Sequence, residues 1–291
     1  MKKLLRWFKI ILFSKYFIYY CSNAEVKMVD NFQHKDKYGF DDLVNIMSLL
    51  RGENGCPWDR EQTHKSIRAN FIEETYEVVE AIDNEDTSLL LEELGDVLLQ
   101  VAFHAQIENE RGAFNIGDVS DGICRKLIVR HPHIFGDVKA DTTADVLKNW
   151  DEIKKQTKGQ KSQTEVMQNI PRVLPALMRS YKVQQKAAKS GFDWPEVSGA
   201  IEKTREELME LKEAVAQGSR EHSSEELGDL LFSAVNISRF IEAEPEQALT
   251  FACDKFIKRF AIVERLAQGR DMKKMSLEEM DKFWNEAKKA L

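Results

Sequence analysis

The sequence predicts an all-α protein built from two tandem helical-bundle modules. Three observations carry that expectation. Only six prolines and 14 glycines occur in 291 residues, while stretches rich in Leu, Glu, Lys and Ala dominate, and these are strong helix formers. Apolar residues recur three or four positions apart, the period of a helix with one buried face. The chain also repeats itself, a signature that organises everything else.

The repeat runs in order along the chain. Gly55-Cys-Pro-Trp58 is answered by Gly191-Phe-Asp-Trp194, and EETYEVVEAI (73–82) by EELMELKEAV (206–215). LEELGDVLLQVA (91–102) is answered by SEELGDLLFSAV (224–235), and NWDEIKK (149–155) by FWNEAKK (283–289). Modules are therefore expected over 38–156 and 168–291. Around KKQTKGQKSQT the apolar period is lost, and 157–167 is expected to be a linker.

Residues 1–37 form a separate extension carrying eight Lys or Arg against three acids. The remaining chain thus holds a net charge of about -12 against -7 for the whole, which disfavours general binding to nucleic acid and suits cations. The opening MKKLLRWFKIILFSKYFIYYCSNA has a basic start and an apolar middle. It reads either as a targeting or membrane-surface segment or as a dispensable extension ahead of an internal start such as Met28. Lys15 interrupts the apolar run, which falls short of the roughly 20 residues that span a bilayer. Apart from this extension no membrane association is expected. Cys21, Cys56, Cys124 and Cys253 show neither CxxC nor zinc-site spacing, as expected for reduced thiols of a cytoplasmic protein.

In the first module Ile67, Phe71, Val78, Val79 and Ile82 form a stripe for burial against a partner helix. DNEDTS and AQGSREHSS then break the pattern, and the next helices are expected near Ser88 and Ser224, running about 15 to 20 residues. So short a connection makes each helix pair antiparallel neighbours. On such a pair Glu207 and Glu210 stand one turn apart on one helix, with Glu226 and Asp229 one turn apart on the next. Ser233 and Asn236 extend the same polar strip between walls of Leu227, Leu230, Leu231, Phe232 and Ala234. Glu74, Glu77, Glu93 and Asp96 repeat the set in the first module, with 19 residues between Glu74 and Glu93 and between Glu207 and Glu226. Gly95 and Gly228 cost about 1 kcal/mol each in a helix, so they hint at close approach of a neighbouring helix or ligand.

Four converging carboxylates repel one another unless a cation compensates. Oxygen-only ligands suit a hard divalent ion, above all Mg²⁺, with Mn²⁺ able to substitute. A dinuclear iron site wants Glu-x-x-His on two helices, and only Glu61 with His64 matches that pattern. An isolated E-x-x-E is usually a solvated face, but repetition at equal spacing in apolar context favours a metal cluster.

The duplicated E-x-x-E and E-L-G-D, with GCPWDREQTH, RHPHIFGD and KAAKSGFDW, resembles the MazG family over residues 38–291. The resemblance implies the all-α NTP pyrophosphatase type, usually a homodimer, cleaving NTPs and dNTPs with Mg²⁺ to the monophosphate and pyrophosphate. It also implies that Glu207, Glu210, Glu226 and Asp229 are the metal ligands of a catalytic second module. Lys255 and Arg259, four apart on one helix face, can offset triphosphate charge. Trp284 and Lys288 pair an aromatic plane with a cation in the region that contacts nucleotide in family members, while Lys182 is a further phosphate candidate and Asn236 a polar contact. Where the second module has Asn236, Lys255 and Arg259, the first has Phe103, Gly122 and Lys126. The first site is therefore expected to be degenerate, although Trp150 and Lys154 mirror Trp284 and Lys288. The expected chemistry is in-line attack of water on the α-phosphorus. Narrower readings are a pyrophosphatase for one non-standard nucleotide and a helical binding module without activity.

Overall fold

The computed structural model describes residues 32–139 and 162–290, with 142, 143, 145, 146, 149, 150 and 153 between them. Residues 1–31 of the expected extension, Lys154 and residues 157–161 of the expected linker lie outside the described residues. Regular structure among the described residues is helical throughout. The chain divides between residues 147 and 148 into two compact units.

The first unit contains α1 (Phe40–Arg51), α2 (Pro57–Glu61), α3 (Arg68–Asp83), α4 (Thr87–Glu110), α5 (Ile116–Arg130) and α6 (Pro132–Phe135). Helices α3 and α4 form an antiparallel hairpin, and α1 packs on α4. Met47, Ile67, Phe103 and Ile107 make the core, with Leu50 and Leu99 against them. Arg51 ties the turn after α1 to this core. Its guanidinium grips both carboxylate oxygens of Glu110 at 2.8 Å and donates to the carbonyls of Asp59 and Gln62. It also lies over the Phe103 ring, 5.2 Å from the centroid. Gly55 is required in that turn, because a Cβ there would stand 2.2 Å from the carbonyl oxygen of Leu50.

The hairpin turn is set by Asp86, whose carboxylate accepts from the backbone N–H groups of Ser88 and Leu89 and caps α4. His64 does not build an iron site with Glu61. It turns to α4 instead, with Nδ1 2.7 Å from Nδ1 of His104 and Nε2 2.6 Å from Oε1 of Glu108. The expected α3 stripe is buried at Ile67, whereas Val79 and Ile82 stay exposed within the unit.

The second unit contains α7 (Gln163–Gln168), α8 (Ala176–Ala188), α9 (Val197–Ala216), α10 (Arg220–Phe240), α11 (Pro245–Leu266), a 3-10 turn (Met272–Lys274) and α12 (Leu277–Ala290). Within the expected linker, Ser162 caps α7 by accepting from the N–H of Glu165. Helices α9 and α10 are the counterpart of the α3–α4 hairpin, and α11 pairs with α12. Helix α8 packs on both α10 and α11.

Helix α10 begins at Arg220 rather than near Ser224. Gly218, at φ +73°, ends α9, and Ser219 Oγ then accepts from the N–H of His222. The next helix is thereby started a full turn earlier, and it runs 21 residues, with 24 in α4. Gly199 in α9 admits the Trp194 indole, since a Cβ there would lie 2.8 Å from Cε3 of the ring. Gly95 and Gly228 behave differently from expectation. A Cβ on either would meet nothing within 4 Å, because the partner helix of each hairpin packs on the carboxylate side.

Candidate metal and nucleotide site

The antiparallel α9–α10 hairpin converts two sequence-distant acid pairs into one cluster. Glu207, Glu226 and Asp229 each offer a carboxylate oxygen, and the three oxygens lie within 4.8 Å of one another. Glu207 is 7% exposed, the Glu226 side chain 12%, and Asp229 opens to solvent. Glu210 stands at the edge of this trio, hydrogen-bonded to Glu207. Desolvation, then that hydrogen bond and the Glu207 charge, push its carboxyl above the ordinary value.

Two nitrogen-bearing side chains border this cluster. Lys203 Nζ sits 2.8 Å from Glu207 Oε1 and 2.6 Å from Glu206 Oε1, and its hydrogen bonds to Glu206 and Glu207 raise the ammonium's pKa. His222 Nδ1 lies 3.4 Å from Glu226 Oε1. Sequence reasoning missed Lys203, although its i, i+4 spacing to Glu207 was a readable signal.

The first unit gathers a slightly different trio, without the counterparts of Lys203 and His222. Oxygens of Glu74, Glu77 and Glu93 lie within 4.8 Å of one another, and Asp96 adds its charge to the group. At the places of Lys203 and His222 the first module has Asn70 and Leu89. Burial first, then Asp96 and Glu77, push the Glu74 carboxyl up to about 7. Glu93 and Asp96 are raised too, in each case chiefly by burial.

The remaining sequence candidates fall into two groups. On the α11–α12 hairpin, Arg259 lies over the Trp284 ring at 6.0 Å, and Phe256 packs against Trp284 at 5.0 Å between centroids. Arg259 Nε is buried without a hydrogen-bond partner. Lys255, Lys288 and Lys182 are exposed, and no hydrogen bond or ion pair among the described residues joins any of these groups to the carboxylates.

Asn236 belongs to a different network, which the sequence did not reveal. Its Oδ1 accepts from Arg239 Nε at 3.0 Å. The same guanidinium donates to the Gln184 carbonyl on α8 and pairs with Asp193 in the GFDW turn at 2.5 Å. Ser233, expected on the polar strip, spends its hydroxyl on the Leu230 carbonyl. The apolar walls are present but open, with Leu227, Leu231 and Phe232 exposed within the unit.

Comparison with known proteins agrees with this duplicated arrangement. The model of the MazG nucleotide pyrophosphohydrolase domain matches twice, at residues 62–135 and 196–263. A Thermotoga maritima protein named nucleoside triphosphate pyrophosphohydrolase/pyrophosphatase MazG is 47% identical over 251 residues, covering 86% of this chain and 95% of that one. The Escherichia coli K12 nucleoside triphosphate pyrophosphohydrolase is 43% identical over 254 residues, with 86% of this chain and 97% of the relative covered. The Bacillus subtilis uncharacterized protein YabN is 50% identical over 252 residues, covering 86% of this chain and 51% of that one. With the acid hairpin present twice and relatives matched almost end to end, the chain belongs to the MazG family.

Proposed function

We propose that this chain is a nucleoside triphosphate pyrophosphohydrolase that uses a divalent cation, and that the second carboxylate cluster is its working site. The observation that carries the reading is the trio Glu207, Glu226 and Asp229, held by a hairpin whose relatives bear that activity in their names. The donor set fits a hard cation. It is all oxygen, crowded, and already draws the nearest ammonium, Lys203, to within 2.8 Å of Glu207. Glu207, Glu226 and Asp229, with Glu210 beside them, are the residues that would hold Mg²⁺, or Mn²⁺ in its place.

A bound divalent ion supplies Lewis-acid neutralisation of the triphosphate. Glu210, outside the tight trio, is placed to accept the proton of an attacking water. That water attacks the α-phosphorus in line, and the bond from the α-phosphorus to the bridging oxygen breaks. Nucleoside monophosphate forms and pyrophosphate leaves with the bridging oxygen. Arg259, with its buried and unpartnered Nε, and Lys255 offset charge on the leaving group, while Trp284, Lys288 and Lys182 contribute to nucleotide binding.

The same reading includes a homodimer in the cytoplasm. Exposed Leu227, Leu231 and Phe232 flank the acids within one chain, and a second copy covering them would close the site against water. Sedimentation equilibrium showing only monomer at micromolar concentration contradicts this part. Among the described residues, no helix is long and apolar enough to cross a membrane.

The main test is incubation of the purified protein with each NTP and Mg²⁺, with products separated by ion-exchange chromatography. Monophosphate and pyrophosphate in equal amounts are expected, and chelation by EDTA is expected to stop the reaction. Release of orthophosphate from the nucleotide, or turnover indifferent to EDTA, would defeat the reading.

A further inference from the structure

We propose that Arg239 is a positioning residue that fixes the Asn236 side-chain amide as a hydrogen-bond donor to the nucleoside part of the substrate. The orientation follows from chemistry. A guanidinium has donors only, so the Asn236 atom 3.0 Å from Arg239 Nε is the carbonyl oxygen. The NH2 group is thereby turned away from the guanidinium and left to a partner that accepts.

Arg239 is well anchored for this role. Its side chain is 9% exposed, and its two other nitrogens hold the Gln184 carbonyl of α8 and the Asp193 carboxylate. Gln184 in turn donates from Nε2 to the Phe232 carbonyl of α10, so α8, α10 and the GFDW turn are locked around one guanidinium. With all three guanidinium nitrogens engaged, flipping the Asn236 amide would set its NH2 against a donor, which makes the orientation costly to change.

Position along α10 identifies what the NH2 meets. Asn236 lies seven residues beyond Asp229, about 10 Å along the axis at 1.5 Å per residue. A substrate whose phosphates sit on the carboxylates extends by the length of a nucleoside before reaching that point. The turn held by Arg239 also carries an exposed aromatic side chain, Phe192, next to Asp193 in the sequence and 83% exposed. At that distance from the carboxylates, the donor reaches a base or sugar carrying an acceptor oxygen or ring nitrogen rather than the phosphates gathered at the acids. The proposal rests on the second cluster being where the triphosphate binds.

The test compares two probes in the presence of Mg²⁺. One is a nucleoside triphosphate with a methylene in place of the α,β-bridging oxygen, and the other is tripolyphosphate, which has the phosphates without the nucleoside. Asn236→Asp keeps an oxygen for Arg239 Nε, which neutralises the new charge, and removes the NH2. It should weaken the nucleotide analogue about tenfold, with the Kd for tripolyphosphate and the Tm unchanged. Arg239→Lys keeps the charge without the fork. It should lower the Tm and weaken the analogue several-fold, again sparing tripolyphosphate.

Equal loss of both probes in Asn236→Asp, or loss of neither, overturns the proposal. So does wild-type protein that binds tripolyphosphate as tightly as the analogue. Because binding is read without turnover, a protein that binds the analogue selectively but cleaves no NTP sinks the hydrolysis reading and leaves this one standing.

Discussion

Replacing Glu226 with Gln should stabilise the metal-free protein while stopping its reaction, two effects of opposite sign from one atom pair. Glu226, Glu207 and Asp229 place carboxylate oxygens within 4.8 Å of one another. At that separation and an effective dielectric constant near 20, two unit charges repel by about 3.5 kcal/mol. Lys203 offsets part of this, and the exposure of Asp229 screens more. A net gain of about 1–2 kcal/mol remains, or about 3–6 °C in Tm for a unit of this size. Mg²⁺ should raise the Tm of the second unit less in the variant than in the wild type, because only a ligand that binds the native state adds stability and the first cluster is untouched. Turnover should fall by two or more orders of magnitude, the scale on which single electrostatic groups act in catalysis. Differential scanning fluorimetry in EDTA and in Mg²⁺, with a pyrophosphate-release assay, reads all three quantities. A lower Tm in EDTA would mean that Glu226 is a structural acid, and unaltered Mg²⁺-dependent turnover would remove the second cluster from the reaction. Glu93→Gln is the internal comparison: it should stabilise at least as much, having no Lys or His counterpart beside it, and leave turnover intact.

Three further outcomes follow from the same structure. Glu74 has a folded-state pKa of about 7 against an ordinary 4.5, so the folded protein keeps a proton that the unfolded chain has shed. Metal-free stability should therefore fall as pH rises from about 4.5 to about 7 and level off above, and Glu74→Gln should flatten that slope in Tm against pH. Lys203→Met removes the cation beside Glu207; its Tm in EDTA should drop, and Mg²⁺ should restore more degrees to the variant than it adds to the wild type. Gly199→Ala puts a Cβ 2.8 Å from the Trp194 ring, and chemical denaturation should show a loss of about 1–3 kcal/mol, as overpacking a close contact does. An unchanged midpoint would mean that the indole is free to move.

Helix type and pairing were legible because a repeated period of three to four with short polar breaks leaves few other structures. The convergence of Glu207 with Glu226 and Asp229 was legible for the same reason, since an antiparallel pair has only one way to oppose two one-turn acid pairs. The start of α10 was not, because Ser219 and Ser224 are both acceptable caps and only the left-handed turn at Gly218 selects the first. The Arg239 network was hidden because Gln184, Asp193 and Asn236 are brought together by the packing of α8 on α10, which no local pattern encodes. Gly95 and Gly228 misled, since cost in a helix signals a reason without saying on which side it lies.

The difference between the modules is sharpest where their acids agree. Both hairpins gather three carboxylates, Glu74, Glu77 and Glu93 in one and Glu207, Glu226 and Asp229 in the other, so a carboxylate trio by itself does not separate a working site from a relic. Farther along the helix, the position of Asn236 is taken in the first module by Phe103, which is 4% exposed and packs with Met47, Ile67 and Ile107. Arg51 covers its ring and holds the neighbouring turn. The guanidinium that in the second module aims a polar amide thus has a counterpart in the first that seals an aromatic core. A side chain that small-domain stability depends on cannot also be a contact for substrate. The first module thus keeps crowded carboxylates at Glu74, Glu77 and Glu93 while an apolar core residue, Phe103, occupies the position of Asn236. If the second cluster is the working site, Glu93→Gln and Glu226→Gln should agree in stability and disagree in activity.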